Sequence, residues 1–99
     1  MKESGPDEIS VRHNSALKRF EIEVQGARSI LEYVRRDREM VVTHTFVPPE
    51  LRGRDRGLAE KLVRAALEHA RVGQLRVVPA CSYVERFIGR HPEFQSLLG

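Results

Sequence analysis

Apolar residues recur along this chain with two different periods, and the change of period divides it. From Phe20 the period is two: Phe20, Ile22 and Val24 alternate with Glu21 and Glu23, the pattern of a half-buried strand. Gly26 marks a turn, after which Ala27, Ile30, Leu31, Tyr33 and Val34 supply a second strand from about Ser29. The run Arg35-Arg36-Asp37-Arg38 reads as a polar hairpin connection into a third strand, Met40 to Val47. That strand is rich in β-branched residues, and Pro48 and Pro49, which cannot continue a ladder, stop it. Three strands joined so closely are expected to be antiparallel neighbours.

From about Gly57 to Val72 the period becomes helical. Leu58, Ala59, Leu62, Val63, Ala66, Leu67 and Ala70 fall at spacings of three and four, with Glu60, Lys61, Arg64, Glu68 and Arg71 on the other face. Glu60 and Arg64 are ordered for an i,i+4 pair, and Gly73 supplies the stop. Leu75 to Val78 then form a short strand ending at Pro79. After a helical crossover it suits a parallel partner of the Met40 to Val47 strand. Ser82-Tyr83-Val84-Glu85 is a capping-box pattern with Ser82 as cap, opening a short helix through about Gly89. Arg90 to Phe94 turn the chain, and Leu97 and Leu98 are expected to dock the C-terminus. Residues 1–15 carry few large apolar side chains and read as a flexible tail or at best an extra edge segment, which leaves 16–99 as one domain. The fold class is α/β (α+β): a mixed, mostly antiparallel sheet with one long helix and one short C-terminal helix.

The start of the long helix is chemically dense. Arg52-Gly53-Arg54-Asp55-Arg56-Gly57 places three arginines and two glycines where free backbone N–H groups and the positive helix end gather. Glycine lets a ligand approach the backbone closely, and arginine forks match phosphate oxygens, so the run reads as a pyrophosphate cradle. It equally fits an ordinary solvated turn with Asp55 as N-cap. Neither GxxxxGK[ST] nor GxGxxG is present.

Arg54-Asp55-Arg56-Gly57-Leu58-Ala59 resembles the Q/R-x-x-G-x-G/A acyl-CoA signature of the GNAT superfamily of N-acetyltransferases. Thr43-His44-Thr45-Phe46-Val47-Pro48 before it extends the likeness, as do Pro79-Ala80-Cys81-Ser82-Tyr83-Val84 and Arg90-His91-Pro92-Glu93-Phe94 after it. Together they make the run from Phe20 to Leu98 similar to the small, stand-alone YjdJ-type members. The loop departs from the pattern in being lengthened around Leu51 to Gly53 and in carrying Asp55 where an anion approaches. The resemblance implies acetyl-CoA in the splay between the His44 strand and the Leu75 to Val78 strand. Backbone groups of Thr45, Phe46 and Val47 would then run beside the pantetheine arm, with the pyrophosphate over Arg54, Asp55, Arg56, Gly57, Leu58 and Ala59. The implied reaction is transfer of an acetyl group to a primary amine. A CoA- or acyl-CoA-binding module without turnover is the alternative.

Three side chains are candidates for the chemistry. Cys81 immediately precedes the proposed cap Ser82, so its sulfur would lie near a positive helix end, which lowers a thiol pKa; it could equally be a small buried hydrophobe. Alternation puts His44 and Phe46 on one strand face and Thr43, Thr45 and Val47 on the other. A histidine titrating near neutrality can accept a proton from an attacking ammonium, but a hydrogen-bonded structural histidine fits too. The resemblance favours the functional reading of both His44 and Cys81, and implies Tyr83 as proton donor to a leaving thiolate. His69 falls near the end of the helical stripe, His91-Pro92 looks like turn structure, and His13 lies in the tail.

Charge and composition alter this picture little. Seventeen basic residues against 14 acidic ones leave a net charge of +3, with a pI of about 9.5. The chain offers no aromatic interleaving for base stacking, so a nucleic-acid partner ranks last. One cysteine excludes an internal disulfide, and with four scattered histidines it shows no zinc spacing, so no metal is expected. No apolar run approaches the roughly 18 residues of a membrane span, and no apolar signal region opens the chain. The expectation is a cytoplasmic protein, monomer or weak dimer, with acetyl-CoA and an amine acceptor as partners.

Overall fold

Gln25 and Gly26 hold φ of 52° and 83°, and this left-handed pair folds β2 (Arg19–Val24) back on β3 (Ala27–Arg36). A second tight turn at Asp37, φ 51°, leads β3 into β4 (Glu39–Phe46). These elements belong to a computed structural model that describes residues 10–52 and 57–98. A short edge strand, β1 (Arg12–Asn14), precedes them, and β5 (Arg76–Pro79) completes a sheet of order β1-β2-β3-β4-β5. All pairings are antiparallel except β4 with β5, as the helical crossover between them requires. The chain is thus a mixed α/β fold with a mostly antiparallel sheet.

Register sorts the sheet's side chains. Phe20, Ile22, Leu31, Tyr33, Met40, Val42 and Val77 share one face and are buried. Against them α2 (Leu58–Val72) lays Leu58, Leu62, Val63, Ala66, Leu67 and Ala70. Each buried leucine contributes about 1.5–3 kcal/mol, whereas the exposed Glu60–Arg64 pair, present at 3.2 Å, is worth about 0.3–0.5 kcal/mol. The apolar stripe therefore seats the helix. Val84, Phe87 and Ile88 of α3 (Ser82–Arg90) and Phe94 and Leu97 of a 3₁₀ segment (Pro92–Leu98) close the far end of the core.

Several local expectations need correction. Pro48 and Pro49 do more than stop β4: Pro49–Arg52 forms one helical turn, α1, with Leu51 buried. Gly57, not Asp55, occupies the N-cap of α2. Ser82 is the first helical residue of α3 and Cys81 its N-cap, so no Ser82 capping box forms. Of the two C-terminal leucines only Leu97 docks; Leu98 is exposed.

At the other end, residues 12–14 take the form of the extra edge strand. His13 anchors it: its Nε2 lies 2.6 Å from the Tyr33 hydroxyl, and its ring stacks on Phe20 at 4.2 Å with His69 edge-on at 4.5 Å. Burial, and secondarily His69, lower the His13 pKa. A histidine kept neutral in the fold is protonated first in the unfolded chain, so its contribution is full above about 6.5 and falls as pH drops through that value. We predict that the thermal midpoint declines from pH 7.5 to 5.5 and that His13→Gln flattens this decline. An equal slope in both proteins would refute it. Glu21, whose pKa is lowered chiefly by its bond from Arg19, acts in a separate window below about 4.5.

Candidate functional site

Strand β5 ends early. Its residues Arg76–Pro79 pair with β4 only at Glu39–Val42, and Pro79 closes the ladder. Beyond that point β4 runs on to Phe46, paired with β3 alone, while the other chain segment leaves through Ala80 and Cys81 into α3. A cleft opens between the two, and β4 borders it with an edge whose backbone N–H and C=O groups have no strand partner, although Cys81 engages the Thr45 backbone. Such groups are an extended ligand's natural hydrogen-bonding rail.

A β-bulge decides what each side of the cleft carries. Tyr33 faces Val42, but Glu32 faces His44, so Thr43 is an extra residue in β4. Its hydroxyl donates to the Glu32 carbonyl at 3.3 Å and secures the irregularity. Strict alternation from buried Val42 would send His44 inward; the bulge instead turns Thr45 to the core face, opposite Leu31, and His44 and Phe46 to the other. The division of residues 44–47 into two faces follows the sequence pattern, and the bulge fixes which face is the core.

Thr45 meets Cys81 across the cleft, with 3.6 Å between hydroxyl oxygen and sulfur. Burial by itself raises the Cys81 pKa, yet the Thr45 hydroxyl and the backbone groups of Val84, Tyr83 and Thr45 outweigh it, and the net direction is downward. The Tyr83 and Val84 amides at the start of α3 favour the thiolate, although neither makes a full capping hydrogen bond to the sulfur. The position of Cys81 near a helix start is readable from the residues around it, but nothing in them points to Thr45 as its partner.

Tyr83 lies close by in the first turn of α3, half-buried. Burial and then the Glu60 carboxylate push its phenol pKa up, so it keeps its proton at neutral pH. It lines a groove of about 350 Å³ together with Glu60, Arg86, Phe87, Arg90 and His91, between the first turn of α2 and α3. Glu60 is paired with Arg64, whereas Arg86 and Arg90 have no ion-pair partner among the described residues.

His44 is exposed on the opposite sheet face, its ring 6.4 Å from Phe46 and nearly parallel to it. Cys81 and Tyr83 therefore stand with Thr45 toward the core face of β4 and His44 stands on the other face, with the β4 backbone between.

At the head of α2, Gly57 has φ 93° and a Cβ built on it would meet nothing within 4 Å. The first helical bond runs from the Lys61 N–H to the Gly57 carbonyl, leaving the amides of Leu58, Ala59 and Glu60 without intrahelical acceptors. Leu58 is buried, so it offers a ligand only its backbone. Arg54, Asp55 and Arg56 lie outside the described residues. Arg52, outside the hexapeptide, donates from Nε to the Val47 carbonyl at 2.7 Å and covers the Phe46 ring at 5.9 Å. It braces the end of the β4 rail, a role that no sequence pattern suggests. Among the described residues no cluster of three or more His, Cys, Asp or Glu could hold a metal, and no helix is long and apolar enough to cross a membrane.

Comparison with known proteins gives a consistent result. Residues 19–97 match the family model described as GCN5-related N-acetyl-transferase. The chain is 32% identical over 87 residues to Protein NATD1 of Bos taurus, covering 85% of this chain and 75% of that one. It is 30% identical over 95 residues to Protein NATD1 of Mus musculus, covering 93% and 83%.

Proposed function

This chain belongs to the GCN5-related N-acetyltransferase family, and from that premise we propose that it transfers an acetyl group from acetyl-CoA to a primary amine. The observation that carries the reading is the cleft where β5 stops short beside β4, bordered by Thr45 on β4 and by Cys81 across from it. The β4 edge beyond Val42, which no strand covers, would bond the amides of the pantetheine arm. The unpaired amides of Leu58, Ala59 and Glu60, together with the Arg54 to Gly57 loop, would receive the pyrophosphate. Arg86 and Arg90 would face the nucleotide half in the groove beside α2.

In the transfer, the amine nitrogen bonds to the thioester carbonyl carbon and the C–S bond breaks. The proton of the attacking amine passes to His44, and the departing CoA thiolate is protonated from Tyr83, whose raised pKa keeps that proton available. Cys81 lines the thioester. We assign the chain to the YjdJ-type group, and a cytoplasmic location fits, since that compartment supplies acetyl-CoA and keeps Cys81 reduced.

The test is calorimetric titration with acetyl-CoA, followed by an amine screen that reads release of free CoA thiol. Saturable binding with amine-dependent release is the expected result. Binding without release under any amine would favour the alternative, a CoA-binding module. Absence of binding would remove both.

A further inference from the structure

We propose that Glu32 is the acceptor's docking group, and that the acceptor is an alkylammonium cation approaching the sheet face opposite α2; this rests on the acetyl-transfer reading above. Four carboxylates are distributed along β2, β3 and β4. Glu21 is bonded to Arg19, Glu23 lies 4.0 Å from Arg28, and Glu39 lies 3.6 and 3.7 Å from Arg36 and Arg76. Glu32 alone has no ion-pair or side-chain hydrogen-bond partner among the described residues, in a chain with 17 basic residues against 14 acidic ones. Arg19 stands directly across from it on β2, but that guanidinium is turned along its own strand to Glu21.

On its other side Glu32 stands directly across from His44, and the bulge at Thr43 is what brings the two onto one face. In a regular register the residue opposite Glu32 would be Thr43, and His44 would point into the core. The bulge therefore sets a carboxylate beside the candidate proton acceptor, one strand away from the cleft. Beyond the Arg19–Glu21 pair, the same face carries apolar side chains around them: Val34 and Phe46 are 46% and 39% exposed, and Ile30 and Val41 are half-buried. A half-buried carboxylate flanked by aliphatic side chains and an aromatic ring is complementary to an ammonium on a carbon stem. The stem covers apolar surface while the charge is bonded. An acceptor held there has its nitrogen between Glu32 and His44. It gives one proton to His44, which passes it to solvent, and the neutral nitrogen then attacks the thioester carbon as the C–S bond breaks; the second nitrogen proton leaves by the same route through His44, with Glu32 unchanged throughout.

The probes are Nα-acetyl-lysine amide, an alkylammonium, and aniline, a primary amine that is uncharged at neutral pH. Backbone NMR of the protein, free and with CoA, should show lysine amide shifting signals of residues 30–34 and 43–46, and Glu32→Gln should abolish those shifts. In turnover, Glu32→Gln should raise KM for lysine amide about tenfold with a smaller change in kcat. Glu32→Asp should recover part of the loss, and KM for aniline should be unaltered. The thermal midpoint and acetyl-CoA affinity of Glu32→Gln should match the parent, which separates docking from a structural role. Shifts confined to another face, or equal losses for both amines, overturn the proposal. If acetyl-CoA fails to bind the parent, the acetyl-transfer reading falls, while the amine titration of the free protein still decides the role of Glu32.

Discussion

Gly57→Val loses at least about tenfold in acetyl-CoA affinity, while Gly26→Val keeps the parent's value. Both glycines sit at positive φ, 93° and 83°, and neither would bring a Cβ within 4 Å of another atom. Each substitution forces a β-branched residue into the left-handed region, at a cost on the order of 1–3 kcal/mol in stability. The shared strain makes Gly26→Val, in the β2–β3 turn, an internal control for general destabilisation. Only at Gly57 does the new side chain fill the open space over the first amides of α2. The backbone can relieve its strain there only by re-aiming those amides. Calorimetry under conditions where both variants stay folded separates the effects. Equal affinity in Gly57→Val and the parent would place the pyrophosphate elsewhere.

Strong periodicity makes an element legible from its residues alone. The seven apolar positions of α2 and the alternation of Phe20, Ile22 and Val24 leave little freedom, because each period matches only one backbone geometry. The parallel placement of β5 follows from the crossover. Tertiary contacts decide the rest. β1 exists because His13 finds Tyr33, Phe20 and His69, three residues from three separate elements. Nothing around Arg12–Asn14 announces a strand. The capping box at Ser82 fails because α3 begins one residue earlier than the motif requires, and Cys81 takes the N-cap position. The bulge is hidden for a different reason. Val41, Val42 and Thr43 are all β-branched and fit either face of a strand, so composition does not say which is the extra residue. That single unpaired residue sets the site, since it divides Thr45 and Cys81 from His44 and Glu32.

His44→Ala loses about 10²-fold or more in turnover near neutral pH, whereas Cys81→Ser keeps substantial activity. Two mechanisms fit the residues, and they assign Cys81 opposite importance. In one, the Cys81 thiolate takes the acetyl group and passes it to the amine; in the other, the amine attacks acetyl-CoA directly. The lowered Cys81 pKa favours a thiolate and so supports the first. Two considerations weigh against it. Transfer from one thiolate to another is nearly isoenergetic, so it gains little over attack by a positioned amine. The base would also be misplaced, because His44 and Cys81 lie on opposite faces of β4, and a histidine there cannot serve a thiol partnered by Thr45. His44 can serve an amine arriving on its own face, which is the arrangement direct transfer needs. Mass spectrometry after brief mixing with acetyl-CoA, without acceptor, distinguishes the two. Direct transfer predicts no stoichiometric adduct. An acetyl group on Cys81 that a later amine discharges at the rate of turnover would establish the covalent route and reverse the order of the two variants.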